Sequence, residues 1–284
     1  MQANSVKPLD PALPPMRFDT ALDVSIERLG AAISNQRIIP VFQPIVDLRS
    51  GQTVSCEVLA RWEDDNLGEV SPETFIPLAE EAGLLDDLMT SVLRPVANVM
   101  RRSDPSISMA VNISPSQLKD PWFAARMFGY LHRSGMQPGR LIVEITEGVL
   151  IQDFPAVSRT VQSLRAQGIR FALDDFGTGY SNLSYLCSLD VDSVKIDRSF
   201  IDNLDHASTN RKIIQAVVGL AAGLGFSVVA EGIETASHAG ELAELGCDRG
   251  QGFLYARPMS GAEFVRHHGS GVSVSSSREV AIAS

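Results

Sequence analysis

Short runs rich in Val, Ile and Leu recur along the chain and alternate with longer segments of helical periodicity. Strands are expected near 39–45, 53–61, 107–113, 141–147, 170–175, 192–197, 226–231 and 248–254. Helices are expected over 86–100, 122–134, 155–166, 210–224 and 236–245, the first with Pro95 inside it. Eight strands, mostly separated by helices, predict an α/β fold, a TIM-like (β/α)8 barrel. A doubly wound open sheet is the alternative, but no GxGxxG or GxxxxGKS/T opens any of the helices. Between the first two strands lies only Val46 to Gln52, with a Ser50-Gly51 turn. No crossover helix fits there, so those strands should run antiparallel. The expected barrel has one strand reversed.

The ends of the chain read differently. Pro8, Pro11, Pro14 and Pro15 make residues 1–18 a proline-rich linker without regular structure. Leu22, Ile26, Leu29 and Ile33 then fall at spacings of four, three and four, and Thr20 with Asp23 resembles a capping box. A short amphipathic helix over 20–35 follows, and the main domain runs over 19–268. Residues 269–284 are a Gly/Ser-rich tail.

With 44% apolar residues the chain can bury a sizeable core. The longest nearly uncharged stretch, Ile213 to Ala230, is too short and too interrupted by glycine to span a bilayer. The N-terminal residues carry no apolar signal-peptide core. Cys56, Cys187 and Cys247 lie far apart, without metal-ligand spacing. These features predict a cytoplasmic globular protein without a membrane partner. A net charge of −10 disfavours nucleic-acid polymers, whose binding rests on Lys and Arg. For an acidic chain to hold a phosphorylated ligand, bound cations would have to offset the like charge.

Strands buried on both faces call for apolar side chains. Here nearly every strand carries or ends in a polar one: Glu57, Asn112, Glu144, Asp174 with Asp175, Lys195, Glu231 and Gln251. A single strand-end Asp is most often the cap of the next helix. Eight such residues are another matter. Counted from Glu57 through Asp174 to Gln251, they lie 55, 32, 30, 21, 36 and 20 residues apart, mostly near the length of one βα unit. In a barrel they converge on the C-terminal mouth, where barrel enzymes place their chemistry.

Five carboxylates in one cavity repel by several kcal/mol per contact, by order of magnitude, unless cations intervene. Oxygen-only ligands, the Asn112 amide included, suit two hard ions such as Mg²⁺ or Mn²⁺. None of the five histidines sits at a strand end. Two such cations about 4 Å apart clamp an in-line phosphoryl displacement by water. Metal-dependent phosphodiester hydrolysis is the chemistry these residues suggest; they do not identify the substrate.

The segments CEVLARW, MAVNIS, EITEG, LDDFGTGYSNLSYL, VKIDRSF, VVAEGIET and GCDRGQGFLYARP, between about Ile39 and Phe264, resemble the EAL-domain cyclic di-GMP phosphodiesterases of bacteria. The resemblance implies a barrel with one antiparallel strand, a homodimer, and Mg²⁺- or Mn²⁺-dependent opening of cyclic di-GMP to linear pGpG. It further implies that Glu57, Asn112, Glu144 and Asp174 ligate a first metal and Asp175 serves a second. Glu231 acts at the second metal or as general base, and Lys195 positions the attacking water. Gln43, Leu59, Arg61 and Gln251 correspond to substrate contacts. Gln251 and Glu234 also correspond to supports behind the ligands, and Glu147 to the anchor of the glycine-containing loop after Asp174.

Two positions depart from the family pattern. Val58 replaces the usual alanine of the signature triplet and should point away from Glu57, where it affects packing more than ligation. Gly148 stands where serine is common, beside the loop anchor. The competing reading is a catalytically inactive cyclic di-GMP receptor or regulatory module, and a third is an interaction module without nucleotide binding. Degenerate receptors in the family normally lack a ligand, the lysine or the loop, and this chain has all three.

Overall fold

The computed structural model describes residues 24–146, 153–177, 188–202, 204 and 208–269. The expected linker 1–18, most of the tail 269–284, and Glu147 and Gly148 lie outside them. Eight strands close into a barrel. In chain order they are β1 (Ile38–Asp47), β2 (Thr53–Asp64), β4 (Ser108–Asn112), β5 (Leu141–Thr146), β6 (Arg170–Phe176), β7 (Ser193–Ile196), β8 (Ser227–Ala230) and β9 (Arg249–Gly250). β1 pairs antiparallel with both β2 and β9, and the pairs from β2 round to β9 are parallel. The fold is thus a (β/α)8 barrel with β1 as the reversed strand. Gly51, at φ +69°, makes the tight turn that leads into β2.

Two short strands extend the ring: β3 (Gly68–Val70) forms a hairpin with β2, and β10 (Met259–Ser260) pairs with β1. The eighth barrel strand is shorter than expected, two residues in place of 248–254. Gly252 approaches the Ile233 backbone so closely that a Cβ would lie 2.1 Å from its carbonyl oxygen, and the chain turns away there.

The helices are α1 (Ile26–Ser34), α2 (Pro72–Glu81), α3 (Leu85–Arg102), α4 (Pro115–Lys119), α5 (Phe123–Ser134), α6 (Phe154–Arg165), α7 (Arg198–Ile201), α8 (Ser208–Leu224), α9 (Ala236–Leu245) and α10 (Gly261–His268). Helix α1 starts later than expected. Its cap is Ser25, whose hydroxyl accepts from the Arg28 N–H. Helix α3 continues through Pro95.

Strand alternation divides the core into two layers. Cys56, Val58, Met109, Val111, Val143, Leu173, Val194 and Ile196 face outward and pack beneath the helices. The opposite parity faces the barrel axis. Ala110, Ile142 and Ala172 form a small apolar plug there, and the polar residues of the same strands lie one layer above it. A separate core joins α1 and α2 to the β2–β3 hairpin, with Trp62 packed edge-on against Phe75 at 5.9 Å. Among the described residues, no helix is long and apolar enough to cross a membrane.

Candidate active site

Parity alone aims Glu57, Asn112, Glu144, Asp174 and Lys195 at the barrel axis, and Glu231 follows β8 in the same sense. They meet at the C-terminal mouth around Lys195. The Lys195 Nζ lies 2.7 Å from Glu231, 3.1 Å from Asp174, 3.2 Å from Glu144 and 3.5 Å from Glu57. One ammonium, 1% exposed, thus faces four carboxylates.

Alternation would send Asp175 outward, away from Asp174. The β6–β7 register shifts between Leu173 and Phe176, and Asp175 takes a left-handed backbone at φ +55°. Aspartate tolerates that conformation better than most residues. The bulge brings carboxylate oxygens of Asp174, Asp175 and Glu231 within 4.8 Å of one another. Oxygens of Glu57, Glu144 and Asp174 form a second such triad, so Asp174 belongs to both.

Amides hold this array in place. Asn112 donates to Glu57 Oε1 at 3.1 Å, and Gln251 donates to Glu57 Oε2 at 2.7 Å and to Gln43 Oε1 at 3.0 Å. Gln43, directly opposite Glu57 in the β1–β2 ladder, donates in turn to the Ala256 carbonyl.

The electrostatics show an excess of negative charge. Burial, with repulsion from its neighbours, pushes the Glu144 carboxyl well above the usual carboxylate range and Glu231 up to about 7; Lys195 opposes both shifts. Burial and the adjacent Asp174 also raise Asp175. For Glu57, burial works upward, but Lys195 and the donors Gln251 and Asn112 outweigh it and leave its pKa lowered. Burial alone would lower Lys195, yet the carboxylates raise it well above the usual lysine value. The donor set, hard oxygens in two overlapping triads with one internal cation, fits hard divalent ions.

A cleft of about 250 Å³, partly open to solvent, leads down to this array. Besides Glu57, Asp174, Lys195 and Glu231, the expected residues Gln43, Leu59, Glu234 and Gln251 line it. Arg61 shares the inward face of β2 but lies outside the lining, with Nε 3.7 Å from Glu69 and Nη1 donating to the Ala60 carbonyl. Glu234 pairs with Arg198 at 3.0 Å. Arg198 and Phe253 also line the cleft, and sequence reasoning passed over both. The only signal for them was their position directly after VKID and within GQGF.

A closed (β/α)8 barrel with two overlapping carboxylate triads at its C-terminal mouth defines the class: a barrel protein whose acidic cluster, beneath an open cleft, could hold metal ions. The chain belongs to the EAL domain family, whose model matches residues 26–258. It is 40% identical over 223 residues to the cyclic di-GMP phosphodiesterase PA2567 of Pseudomonas aeruginosa, covering 77% of this chain and 38% of that protein. It is 37% identical over 222 residues to the uncharacterized protein y4lL of Sinorhizobium fredii, covering 78% of this chain and 27% of that one. Its match thus spans well under half the length of these curated relatives. Among solved structures it resembles the PaMucR phosphodiesterase in complex with c-di-GMP, with a TM-score of 0.78 and 34% identity. That match covers 84% of this chain and 98% of the other.

Proposed function

We propose that this chain is a cyclic di-GMP phosphodiesterase that uses two Mg²⁺ or Mn²⁺ ions to open its substrate to linear 5'-pGpG. The observation that carries the reading is the pair of carboxylate triads sharing Asp174 around Lys195. Glu57, Asn112, Glu144 and Asp174 would hold one ion, and Asp174, Asp175 and Glu231 the other. When bound, the ions supply charge neutralisation for the phosphate and activation of a water.

The chain's own groups do the rest. Water adds to phosphorus, the bond to the 3' oxygen breaks, and that oxygen leaves as a hydroxyl. Glu231, with 19% of its side chain exposed, is the most accessible of Lys195's four partners, which supports a role either at the second ion or as acceptor of the water's proton. Lys195 limits the repulsion of the carboxylates and orients the water. Gln251 and Asn112 fix the two oxygens of Glu57. Gln43, Leu59 and Gln251 contact the nucleotide in the cleft, and Arg61 meets a part of it that extends beyond Leu59. Glu147 anchors the loop after Asp174, and Glu234 acts at the rim.

Residues 19–268 form the catalytic unit in this reading, working as a cytoplasmic homodimer. Intact ligands and an intact lysine support catalysis over the receptor alternative. The test is chromatography of products from cyclic di-GMP with Mg²⁺ or Mn²⁺, with an EDTA control. Metal-dependent pGpG is expected, and Glu57→Gln and Glu231→Gln should abolish it. Binding without conversion would make the chain a receptor.

A further inference from the structure

The rim of the cleft carries a cation that the hydrolytic machinery does not use. Arg198 opens α7, three residues beyond Lys195. Lys195 is occupied by four carboxylates, which leaves Arg198 as the other cation among the residues lining the cleft. Two acids fix its guanidinium: Nε lies 3.0 Å from Asp202, and Nη2 lies 3.0 Å from Glu234. Its aliphatic stem rests on Gly232. That glycine is at φ +69°, and a Cβ there would lie 2.4 Å from Arg198 Cγ. Phe253 lines the same cleft, is 45% exposed, and has the Arg257 guanidinium 4.2 Å from its ring centroid. A large exposed aromatic ring in an otherwise acidic cleft suits a flat, partly apolar ligand face.

We propose that this rim reads a guanine base: Arg198 donates two parallel N–H bonds to its O6 and N7, and the base plane rests against Phe253. The proposal rests on the cyclic di-GMP reading above and names the residues that set base specificity. Charge decides between base and phosphate as the partner of Arg198. Asp202 and Glu234 already match its single positive charge twice over, so an approaching phosphate meets no net attraction there. A neutral base edge with two acceptors still gains a directional fork. Adenine presents an amino donor in place of O6 and meets that fork donor to donor. The seat of the Arg198 stem on Gly232, together with the two carboxylates, sets the direction in which the guanidinium points.

The test measures kcat and KM for cyclic di-GMP and cyclic di-AMP with Mn²⁺, in the wild type and in Arg198→Met, Arg198→Lys and Gly232→Ala. Thermal unfolding of each variant confirms folding. Arg198→Met should raise KM for cyclic di-GMP about tenfold, the size of one lost bidentate base contact. The effect should fall more on KM than on kcat, and the preference over cyclic di-AMP should narrow by the same factor. Arg198→Lys keeps the charge but loses the fork and should resemble Arg198→Met. Gly232→Ala, by displacing the arginine, should shift preference in the same direction. If lysine restores KM, or both nucleotides weaken equally, Arg198 serves a phosphate and the base reading is wrong. If the wild type acts on cyclic di-GMP and no variant alters it, the base reading alone falls. If the wild type neither binds nor converts cyclic di-GMP, the function proposed above falls as well.

Discussion

Two cations embedded near opposite ends of the barrel, Arg140 and Lys195, are treated in opposite ways. At the end where the parallel strands begin, Arg140 directly precedes β5. It donates to the carbonyls of Met100, Asp104 and Ile107 and to the Ser103 hydroxyl at 2.8–3.0 Å. Its hydrogen-bond partners there are neutral dipoles, and burial lowers its pKa against the upward pull of the Asp104 carboxylate. At the other end Lys195 faces four carboxylates, and its pKa is raised. Arg140 satisfies backbone acceptors where chain segments meet, a structural arrangement. Lys195 can offset only one of its four carboxylates, and the rest are left to take up protons or other cations, an arrangement that folding alone does not call for. The difference separates a staple from an acidic cluster that could hold metal ions.

The largest effect should come from Asp174→Asn, since Asp174 belongs to both triads. Turnover is expected to fall about 10³-fold or more, with the fold retained by circular dichroism. Lys195→Met should cost the metal-free protein about 3–5 kcal/mol in denaturant unfolding, the usual penalty for breaking a buried ion pair. Mn²⁺ should recover part of that loss; a stability equal to wild type would mean the carboxylates do not need the ammonium. Arg140→Ala should cost about 2–3 kcal/mol by stranding buried acceptors, while turnover per folded molecule stays intact. A selective loss of turnover in that variant would erase the contrast between the two ends.

Smaller effects sharpen the same comparison. Val58 is buried on the outward face of β2, opposite in parity to Glu57. Val58→Ala should therefore lose about 1–2 kcal/mol of stability with kcat unchanged. The smallest effect is a pH trend in metal-free protein. Glu144, Asp175 and Glu231 have folded pKa values raised above those of the unfolded chain, Glu231 to about 7. Between about pH 4 and about pH 7 the folded state thus binds more protons than the unfolded state, so stability falls as pH rises. The lowered pKa of Glu57 contributes only below that window, and the raised pKa of Lys195 only above it. Thermal unfolding in EDTA should show the midpoint falling from pH 5 to pH 7, and added Mn²⁺ should remove the trend.

The inward-facing residues were legible in the sequence because strand parity and βα spacing suffice to bring Glu57, Asn112, Glu144, Asp174, Lys195 and Glu231 together. The reversed β1 was legible from a connection too short for a helix. Asp175 was different: parity sends it outward, and only the bulge with φ +55° turns it back. Sequence patterning does not encode such a local break in register. Arg198 and Phe253 lie in a one-turn helix and a turn, where no periodicity exists to assign a face. Helix α1 was placed correctly but started too early, because Thr20-Asp23 offered a more obvious capping pattern than Ser25. The eighth strand was overextended because the close approach of Gly252 to Ile233 depends on a distant contact.

The central claim is that the excess carboxylates at the mouth are there to hold divalent cations. Calorimetric titration of Mn²⁺ into metal-free protein at pH 7.5 tests it most directly. The account predicts saturable binding of two ions per chain, with protons released and with at least one site lost in Asp174→Asn. Absence of saturable binding, or binding that Asp174→Asn leaves untouched, would contradict it.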